Sequence, residues 1–361
     1  MKNMFKTILA IFSSLVISTS AFAGELSVSG SAEASYIIGG TDDSNSKGLG
    51  ISNEISFTAS GEFGNGYTWA YKMSLDEGAT IANDDTALVI GLGNMGNAGI
   101  FISDGGLSTE FGHGAGAYAV GSDVINTGSI KMGSMDISNY NNVQYHTPAG
   151  LLPFGITAKV GYSPNLAAPK GSSVEEGNTL ENTLNADGVG TTAGAGQDAS
   201  HYQITATPID GLTVGADYFR ADGNTNTSQQ PEAGNAYIKY ATGPVVIGLG
   251  KALVAPGFTN DASTAKNQLY DTDSYGILFA VNEAMSVSYN KEKSTLTTST
   301  GVKVGQATST KTKVETDVDT YQVAYNVGGA TLAIVKSEAD NAGYKANKEV
   351  SATFISLKMA F

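Results

Sequence analysis

Hydrophobic and polar residues alternate with a period of two along much of the chain. Between residues 26 and 36, apolar residues such as Leu26 and Val28 occupy one phase, and mainly Ser and Glu residues occupy the other. The same pattern recurs at 51–60 and at 67–75. A period of two is typical of a β-strand with one apolar and one polar face. We therefore expect an all-β protein.

The connections between these segments alternate in length. Tight turns such as Gly64-Asn65-Gly66 and Val327-Gly328-Gly329 alternate with long polar segments, of which 104–141 and 163–199 are the longest. An up-and-down antiparallel barrel predicts this alternation, because one rim carries tight turns and the other carries long loops. The pattern predicts 16 strands, with both ends of the folded chain at the tight-turn rim. The predicted strands cover residues 26–37, 51–63, 67–75, 86–93, 97–103, 142–147, 154–162, 201–208, 212–221, 235–242, 245–254, 272–281, 285–293, 315–327, 330–339 and 349–361.

The apolar faces can point in two directions. In a soluble sandwich they pack between two sheets, whereas in a membrane barrel they face lipid and the polar faces surround a water-filled lumen. Small polar residues such as Ser27, Ser29 and Ser31 suit a wet interior, which favours the transmembrane barrel. Aromatic residues near strand ends agree with interfacial girdles, although Tyr favours strands in any setting. These aromatic residues are Tyr36, Phe63, Tyr67, Tyr162, Tyr218, Tyr240, Tyr289 and Phe361.

The first 23 residues have the organisation of a secretory signal peptide. Lys2 and Lys6 precede or flank the start of an apolar stretch from Ile8 to Ile17, and Ala21-Phe22-Ala23 follows as an A-x-A cleavage site. The apolar stretch is about half the ~20 residues that a helix needs to cross a bilayer. We therefore expect cleavage after this site and a barrel domain that covers residues 24–361.

The charge and composition of the chain exclude several classes of protein. With 20 Lys plus Arg against 34 Asp plus Glu, the net charge is −14, the opposite of what a nucleic-acid-binding surface needs. The absence of Cys excludes disulfides and thiolate metal sites, and 3 His leave little material for a His-rich metal centre. No G-x-S-x-G, Rossmann or P-loop pattern appears in its proper context. We expect no nucleic-acid partner, no enzyme activity, no cofactor and no metal.

Three motifs resemble those of the general porins of Gram-negative outer membranes. The segment from Asn141 to Pro148, followed by Gly155, resembles the strand-six signature of that family. Glu110-Phe111-Gly112 resembles the tip motif of its inward-folded third loop. The final residues up to Phe361 resemble the signal that the outer-membrane assembly machinery reads. The order and spacing of the motifs fit the family across the whole mature chain.

The resemblance to general porins carries expectations about structure and function. It implies a 16-stranded antiparallel transmembrane β-barrel with short periplasmic turns, long extracellular loops and an inward-folded third loop that narrows the pore. It implies passive diffusion of small hydrophilic solutes through the outer membrane of a Gram-negative bacterium. The implied partners are two further copies of the chain in a homotrimer, outer-membrane lipid and lipopolysaccharide, and the barrel assembly machinery.

In general porins, acids on the third loop face a cluster of basic residues on the barrel wall. Glu110 matches the motif acid, whereas the other acids of the segment match no motif position. Arg220 is the only Arg of the chain and shares a phase with apolar residues, so we expect it at a strand end rather than in the pore. Lysines that alternate opposite apolar residues are better wall candidates. The candidate constriction residues are Glu110, Asp104, Asp123, Asp136, Lys72 and Lys159.

Acids in the polar phase of the strands determine the ion preference that we expect for the pore. Glu33, Glu54, Glu62 and Asp217 are expected to face the lumen. Rings of carboxylates lower the barrier to cations and raise it for anions, so we expect a modest cation preference. Alternatively, most of the negative charge lies on the outer loops, where it would favour solubility rather than ion selection.

Two other functions stay open at the level of the sequence. A substrate-selective channel would share the barrel and would show saturable block by one solute. A secreted β-rich adhesin or surface-layer protein would share the signal peptide, the glycine content and the acidity. Such a protein has no reason to end in a strand with a terminal Phe361 or to alternate short and long connections.

Overall fold

The structure is a computed structural model of the chain. It describes residues 24–39, 47–76, 82–120, 135–164, 198–222, 227–259, 266–300 and 310–361. The expected signal peptide, residues 1–23, and the candidate acid Asp123 lie outside these residues. Within the described part of the chain, no helix has the length and apolarity that a membrane-spanning helix needs.

Sixteen antiparallel strands close into one barrel, as the alternation predicts. The barrel strands are β1 (Glu25–Gly39), β2 (Gly48–Glu62), β3 (Thr68–Asp76), β4 (Ala82–Gly91), β5 (Asn97–Ile102), β6 (Asn142–His146), β7 (Thr157–Ser163), β8 (Ala199–Ile209), β9 (Leu212–Ala221), β11 (Glu232–Thr242), β12 (Val245–Ala255), β14 (Lys266–Ala280), β15 (Met285–Thr300), β16 (Thr310–Val327), β17 (Ala330–Asp340) and β18 (Val350–Ala360). Strand β1 closes the ring by pairing with β18, with Glu33 opposite Lys358. Two short strands, β10 (Thr227–Gln229) and β13 (Phe258–Thr259), pair with each other in a separate sheet.

Three strands reach further towards the long-loop rim than predicted. Strand β14 begins at Lys266 rather than near 272, β15 continues to Thr300 rather than to 293, and β16 begins at Thr310 rather than near 315. The backbone pairing continues beyond the predicted bounds, through Thr-rich ends of β15 and β16 and through the mainly polar residues 266–271 of β14. Threonine favours extended backbone, so polar residues prolong these strands beyond the apolar band.

Strand β7 begins later than predicted. The predicted range starts at Phe154, which lies within a 3-10 turn (Pro153–Gly155) and has a φ of 58°. Left-handed backbone interrupts a strand, so β7 starts only at Thr157. The connection from β6 is therefore longer than the other turns on its rim.

The apolar phase of the strands faces outwards and the polar phase faces the interior. On β14, Tyr275 and Ile277 are exposed, whereas Thr272 and Ser274 are buried. On β15, the polar phase includes Asn290, which is also buried inside the barrel. This is the arrangement of a membrane barrel and the reverse of a soluble sandwich.

The largest buried apolar cluster lies between the wall and the segment that connects β5 to β6, residues 103–141. Leu107, Met135 and Ile137 from this segment belong to one cluster with Phe219 on β9. Each of these side chains is at most 2% exposed. Apolar burial therefore holds the segment inside the barrel.

Candidate pore constriction

The segment between β5 and β6, here called the third loop, runs along the inner wall of the barrel. Its described residues, 103–120 and 135–141, contact strands on several sides of the lumen. The wall strands in contact include, in order along the ring, β9, β11, β12, β14, β15, β16, β18 and β1. The inward fold expected from the sequence is confirmed.

Two buried acids anchor the first part of the third loop. Asp217, on β9, accepts hydrogen bonds of 2.6 Å from both the backbone N–H and the hydroxyl of Thr109. Asp136, on the returning part of the loop, accepts from the backbone N–H groups of Leu107 and Ser108 at 3.0 and 2.6 Å. The side chain of Asp217 has no exposed surface and that of Asp136 is 15% exposed. Asp217 therefore points inwards, as expected. The loop covers its carboxylate and donates hydrogen bonds to it.

Wall glycines let the backbone of the third loop approach closely. A Cβ on Gly248, on β12, would stand 2.0 Å from the carbonyl oxygen of His113, and a Cβ on Gly276, on β14, would stand 2.8 Å from the Cβ of Ala115. Any larger residue at Gly248 would push the loop into the lumen. His113 itself is buried, and this burial holds the pKa of its imidazole below the usual value. The ring is therefore neutral at neutral pH.

Side chains on β15 and β16 form hydrogen bonds with backbone groups in the middle part of the loop. The side-chain oxygen of Gln322, on β16, accepts from the N–H groups of Tyr118 and Ala119 at 2.9 and 3.0 Å. Its amide nitrogen donates to the carbonyl of Ala119 at 2.7 Å. Ser288, on β15, accepts from the N–H of Ala117 at 2.8 Å. These bonds replace the strand partners that an inserted loop lacks.

The loop reaches the seam between β1 and β18 through Tyr118. Its hydroxyl donates a hydrogen bond of 2.5 Å to Glu33 on β1, and Ser356 on β18 donates to the same oxygen at 2.8 Å. Burial, followed by the hydrogen bond to Glu33, raises the pKa of Tyr118 to about 12. The phenol therefore stays protonated and keeps donating throughout the physiological range. Glu33 faces the interior but is engaged by the loop.

A cavity of about 430 Å³ lies where the loop meets this seam. Glu33 and Lys358 are direct cross-strand neighbours on its wall. The rings of Tyr118 and Phe354 lie 6.0 Å apart at its side. The cavity therefore combines both charges with an aromatic surface.

Lys72, on the barrel wall, and Asp104, at the start of the third loop, form a hydrated ion pair. The ammonium nitrogen of Lys72, on β3, lies 3.9 Å from a carboxylate oxygen of Asp104, at the start of the loop. Their side chains are 40% and 28% exposed, so both remain hydrated. Two predicted constriction residues, one from the wall and one from the loop, thus face each other.

Of the other predicted residues, Glu110 lies in the third loop and Lys159 lies on the barrel wall. Glu110 follows Thr109 in the loop, and its backbone carbonyl lies 3.1 Å from Nδ1 of His113. Lys159 faces the interior from β7, opposite His146 on β6. Its charge is therefore on the wall, next to the strand-six signature.

Two predicted lumen acids lie on β2. Glu54 is partly buried and accepts a hydrogen bond of 3.0 Å from Ser56. Glu62 lies opposite Thr68 at the tight-turn end of the strand and is exposed. Their carboxylates are therefore separated by most of the length of the strand, and Glu62 belongs to the rim.

Arg220 lies on the outer face at the end of β9, as its phase predicts. Its guanidinium is 3.9 Å from a carboxylate oxygen of Glu232, on β11, and donates to Gln230 at 3.1 Å. The side chain is half exposed. Arg220 therefore adds no positive charge to the lumen.

Solved structures share the architecture of this barrel, whereas no protein-family model and no curated protein matches the chain. In-vitro folded OmpT, an outer membrane protein of Vibrio cholerae, aligns with a TM-score of 0.62 and 13% identity, covering 96% of this chain and 100% of that one. The anion-selective porin from Comamonas acidovorans gives a TM-score of 0.63 at 10% identity, covering 94% and 100%. OmpF of Salmonella typhi, in complex with daunomycin, gives 0.58 at 9% identity, covering 95% and 100%. The chain has the porin fold.

Within this porin fold, the residues that fix the third loop carry no distinct signal in the sequence. His201 and Gln322 occupy the polar phase of their strands, where a residue that faces water and one that faces a loop look alike. Lys239, on β11, also faces the interior, with its Nζ 3.8 Å from where a Cβ on Gly114 would stand. Lys239 follows the apolar Ile238 in the alternating pattern, as Lys72 and Lys159 follow apolar residues in theirs. The same criterion would therefore have identified Lys239 as a candidate wall lysine.

Proposed function

We propose that the chain is an outer-membrane channel for passive diffusion of small hydrophilic solutes and ions, with a modest cation preference. The third loop carries this proposal. It is fixed to the wall from Thr109 to Tyr118, and its first part carries Asp104, which pairs at 3.9 Å with Lys72 on the wall while both side chains remain hydrated. A loop held in this way narrows a water-filled barrel and limits passage by size and charge. No catalytic step and no energy coupling are required.

The outer surface supports insertion into a membrane. Tyr275, Ile277 and Phe279 follow one another on the outward phase of β14 and are exposed. Nearer the long-loop rim, the same phase carries Asp273, whose carboxylate lies 2.9 Å from Lys251. An apolar band with an aromatic edge, followed by charged residues, matches the change from hydrocarbon to headgroups. The tight turns would then face the periplasm and the long loops the exterior.

A belt of ion pairs on the outer wall supports contact with lipopolysaccharide. Its lysines can bind phosphate, and its carboxylates can hold divalent cations that bridge phosphates. The side chains are between 25% and 53% exposed, so their charges are accessible from outside. The belt consists of Lys251, Asp271, Asp273, Lys291, Lys293, Glu315, Asp317, Asp319, Lys336 and Glu338.

The proposed cation preference is modest because the lumen carries both signs of charge. Glu54 and Glu62 remain accessible to different degrees, whereas Glu33 and Asp217 are engaged by the loop. Lys72 adds a positive charge at the level of the loop. Removal of Lys2 and Lys6 with the signal peptide changes the formal net charge from −14 to −16, and this excess of acids supports negative pore mouths. Such potentials act over a Debye length of only ~8 Å at 0.15 M salt.

The proposal includes export, assembly and a homotrimer. Residues 1–23 would be removed on export, which leaves the barrel domain 24–361. The exposed terminal Phe361 would serve as part of the assembly signal, while its backbone pairs with Gly30 at 2.8 and 2.9 Å. A solved structure of OmpT of Vibrio cholerae is described as a trimer form and aligns with a TM-score of 0.55 at 14% identity. This likeness supports the same assembly here.

Planar-bilayer recording of purified, detergent-folded protein tests the proposed function. We expect discrete ohmic conductance steps and a cation-selective reversal potential under a KCl gradient. Asp104→Lys should shift that potential towards anion preference. Absence of conductance from correctly folded, heat-modifiable protein would overturn the channel and favour a surface-structural role.

A substrate-selective channel is the second candidate. The cavity beside Tyr118 favours it, because Glu33 and Lys358 offer opposite charges next to the ring of Phe354. Titration of the open current with sugars, amino acids and dicarboxylates distinguishes the two candidates. Saturable block by one solute class would support selectivity, and unsaturable, size-dependent passage would support general diffusion.

A further inference from the structure

His201, on β8, is buried between two carboxylates at the base of the third loop. Its side chain has no exposed surface. Nε2 lies 3.0 Å from an oxygen of Asp217 on β9, and Nδ1 lies 3.5 Å from an oxygen of Asp136 in the loop. The edge of the ring also packs against Phe219 at a centroid distance of 5.6 Å. The imidazole thus connects the wall to the returning part of the loop.

The two carboxylates that contact His201 are the same two that hold the loop backbone. Asp136 accepts from the N–H groups of Leu107 and Ser108, and Asp217 accepts from that of Thr109. Three consecutive backbone donors of the loop therefore end on the flanking acids. Any change in the charge of either acid acts directly on the attachment of the loop.

The Nδ1 atom of His201 faces two groups with opposite requirements. The backbone N–H of Ile137 lies 3.3 Å away and needs an unprotonated Nδ1 as acceptor. The carboxylate of Asp136, at 3.5 Å, favours a protonated Nδ1 that donates. Two adjacent negative charges favour the imidazolium, and the position of the ring allows either state to hold residues 135–138.

Among the described residues, the charged groups that face the ring are Asp136 from the loop and Asp217 from β9. Asn235, on β11, donates to Asp217 at 3.0 Å and is neutral. Gly161, the cross-strand neighbour on β7, carries no side chain. The balance of charge at this point therefore depends on one imidazole and two carboxyls.

We propose that His201 is a positioning residue that keeps the third loop attached at acidic pH by separating the charges of Asp136 and Asp217. The inference rests on the proposed channel function, because it concerns the loop that narrows the pore. With the imidazole present, a group that can carry positive charge lies between the two acids, and both acids keep their loop donors. Without it, two buried carboxylates remain together, one of them takes up a proton more readily, and the loop loosens at milder acidity.

The direction of the pH dependence of loop attachment follows from the pKa of Asp136. Burial opposes ionisation of Asp136, but hydrogen bonds from His201 and from backbone N–H groups outweigh it and hold the pKa of this carboxyl below the usual value. A lowered pKa means that the contribution of the carboxylate is complete at neutral pH. That contribution is lost only when the pH falls below the ordinary range of Asp, about 3.9.

Single-channel recording between pH 3 and 8 tests the proposal on the full-length mature protein. The readout is the midpoint pH at which the steady open current is lost. We expect a midpoint below about pH 4 for the wild type, and a midpoint at least about one unit higher for His201→Gln. The double variant His201→Gln with Asp217→Asn leaves Asp136 as the single acid of this pair and keeps an amide oxygen at position 217 to accept from Thr109, so the midpoint should return towards the wild type. Thr320→Val, which removes a buried wall hydrogen bond between β16 and β17, should leave it unchanged.

A second readout is independent of conduction. The chain has no Cys, so Leu107→Cys introduces a single thiol beneath the anchored part of the loop, at a position that is 1% exposed. Its labelling by a disulfide reagent active at acidic pH should accelerate in the His201→Gln background at pH 5. An exposed control thiol, Leu151→Cys, corrects for the reactivity of the reagent.

The outcomes separate this proposal from the proposed channel function. If folded wild type does not conduct but labelling at position 107 still depends on His201, the channel fails and the positioning role stands. Equal midpoints and equal labelling for wild type and His201→Gln would overturn the positioning role. Failure of the double variant to restore the midpoint, in heat-modifiable protein, would also overturn it, because a purely steric role of the ring predicts no rescue.

Discussion

The hydroxyl of Tyr118 lies 2.5 Å from a carboxylate oxygen of Glu33, which joins the third loop to strand β1. These residues are 85 positions apart in the chain. Their contact lies on the far side of the lumen from Asp217, the acid that anchors the start of the loop. The loop is therefore held at two separated points, and each can be removed without the other.

Tyr118→Phe should loosen the distal attachment and free the charge of Glu33. The lost bond joins a phenol to a carboxylate and contributes about 1.5–3 kcal/mol to docking of the loop. We expect noisier open current and a stronger cation preference in planar bilayers. Tyr289→Phe is a matched control, because it removes a phenol–carboxylate bond to Asp319 on the outer wall. An unchanged current with Tyr118→Phe would show that Gln322 and Ser288 hold this part of the loop without the phenol.

Lys72 and Asp104 should set the ion selectivity rather than the stability. They are 3.9 Å apart and partly exposed, so their pairing contributes at most about 1 kcal/mol to folding. Lys72→Gln should increase the cation preference, and Asp104→Asn should reduce it, with reversal potential as the measurement. The shifts should be large near 0.01 M salt, where the Debye length is ~30 Å, and small near 1 M, where it is ~3 Å. Shifts that do not depend on salt would place both residues away from the ion path.

Much of the fold could be predicted from the sequence, because each strand shows its own alternation. Strands such as β17, with exposed Ile334 beside buried Val335, follow a local rule that needs no knowledge of their partners. The alternation does not predict the ends of β14–β16, because the Thr-rich ends of β15 and β16 and the mainly polar residues 266–271 of β14 lack a continuous apolar phase. The contacts of the third loop depend on partners far along the chain, such as Thr109 and Asp217, which are 108 positions apart. No local pattern contains that information.

The contacts of Tyr118 also leave no local pattern in the sequence. It lies in a stretch of Gly, Ala and Tyr that carries no charge and no motif. Its role follows from where the loop passes Gln322 and Glu33, and this path is decided by the small residues of the wall. Glu33 was correctly expected to face inwards, but the sequence pattern could not indicate that a loop residue would engage it.

Gly248→Ala should narrow the pore. The added methyl would stand 2.0 Å from the carbonyl oxygen of His113, so the loop must move towards the lumen. Overpacking of this kind costs about 1–3 kcal/mol. We expect a lower single-channel conductance with little change in barrel stability. Gly234→Ala is the matched control, because its methyl meets only ordinary contacts, the nearest at 3.5 Å. Equal conductance of the two variants would show that the loop does not depend on this close approach.

The ring of Phe361 should act in assembly rather than in the folded barrel. It is 70% exposed, and the backbone of Phe361 alone makes the hydrogen bonds to Gly30. Phe361→Ala keeps those bonds, so refolding in detergent should yield a normal fraction of heat-modifiable protein. In cells, the amount of barrel in the outer membrane should fall several-fold, because the terminal aromatic side chain is missing. Phe154→Ala removes an aromatic ring of similar exposure, 68%, and should leave that amount unchanged. A parallel loss in detergent and in cells would instead mean that the ring stabilises the barrel itself.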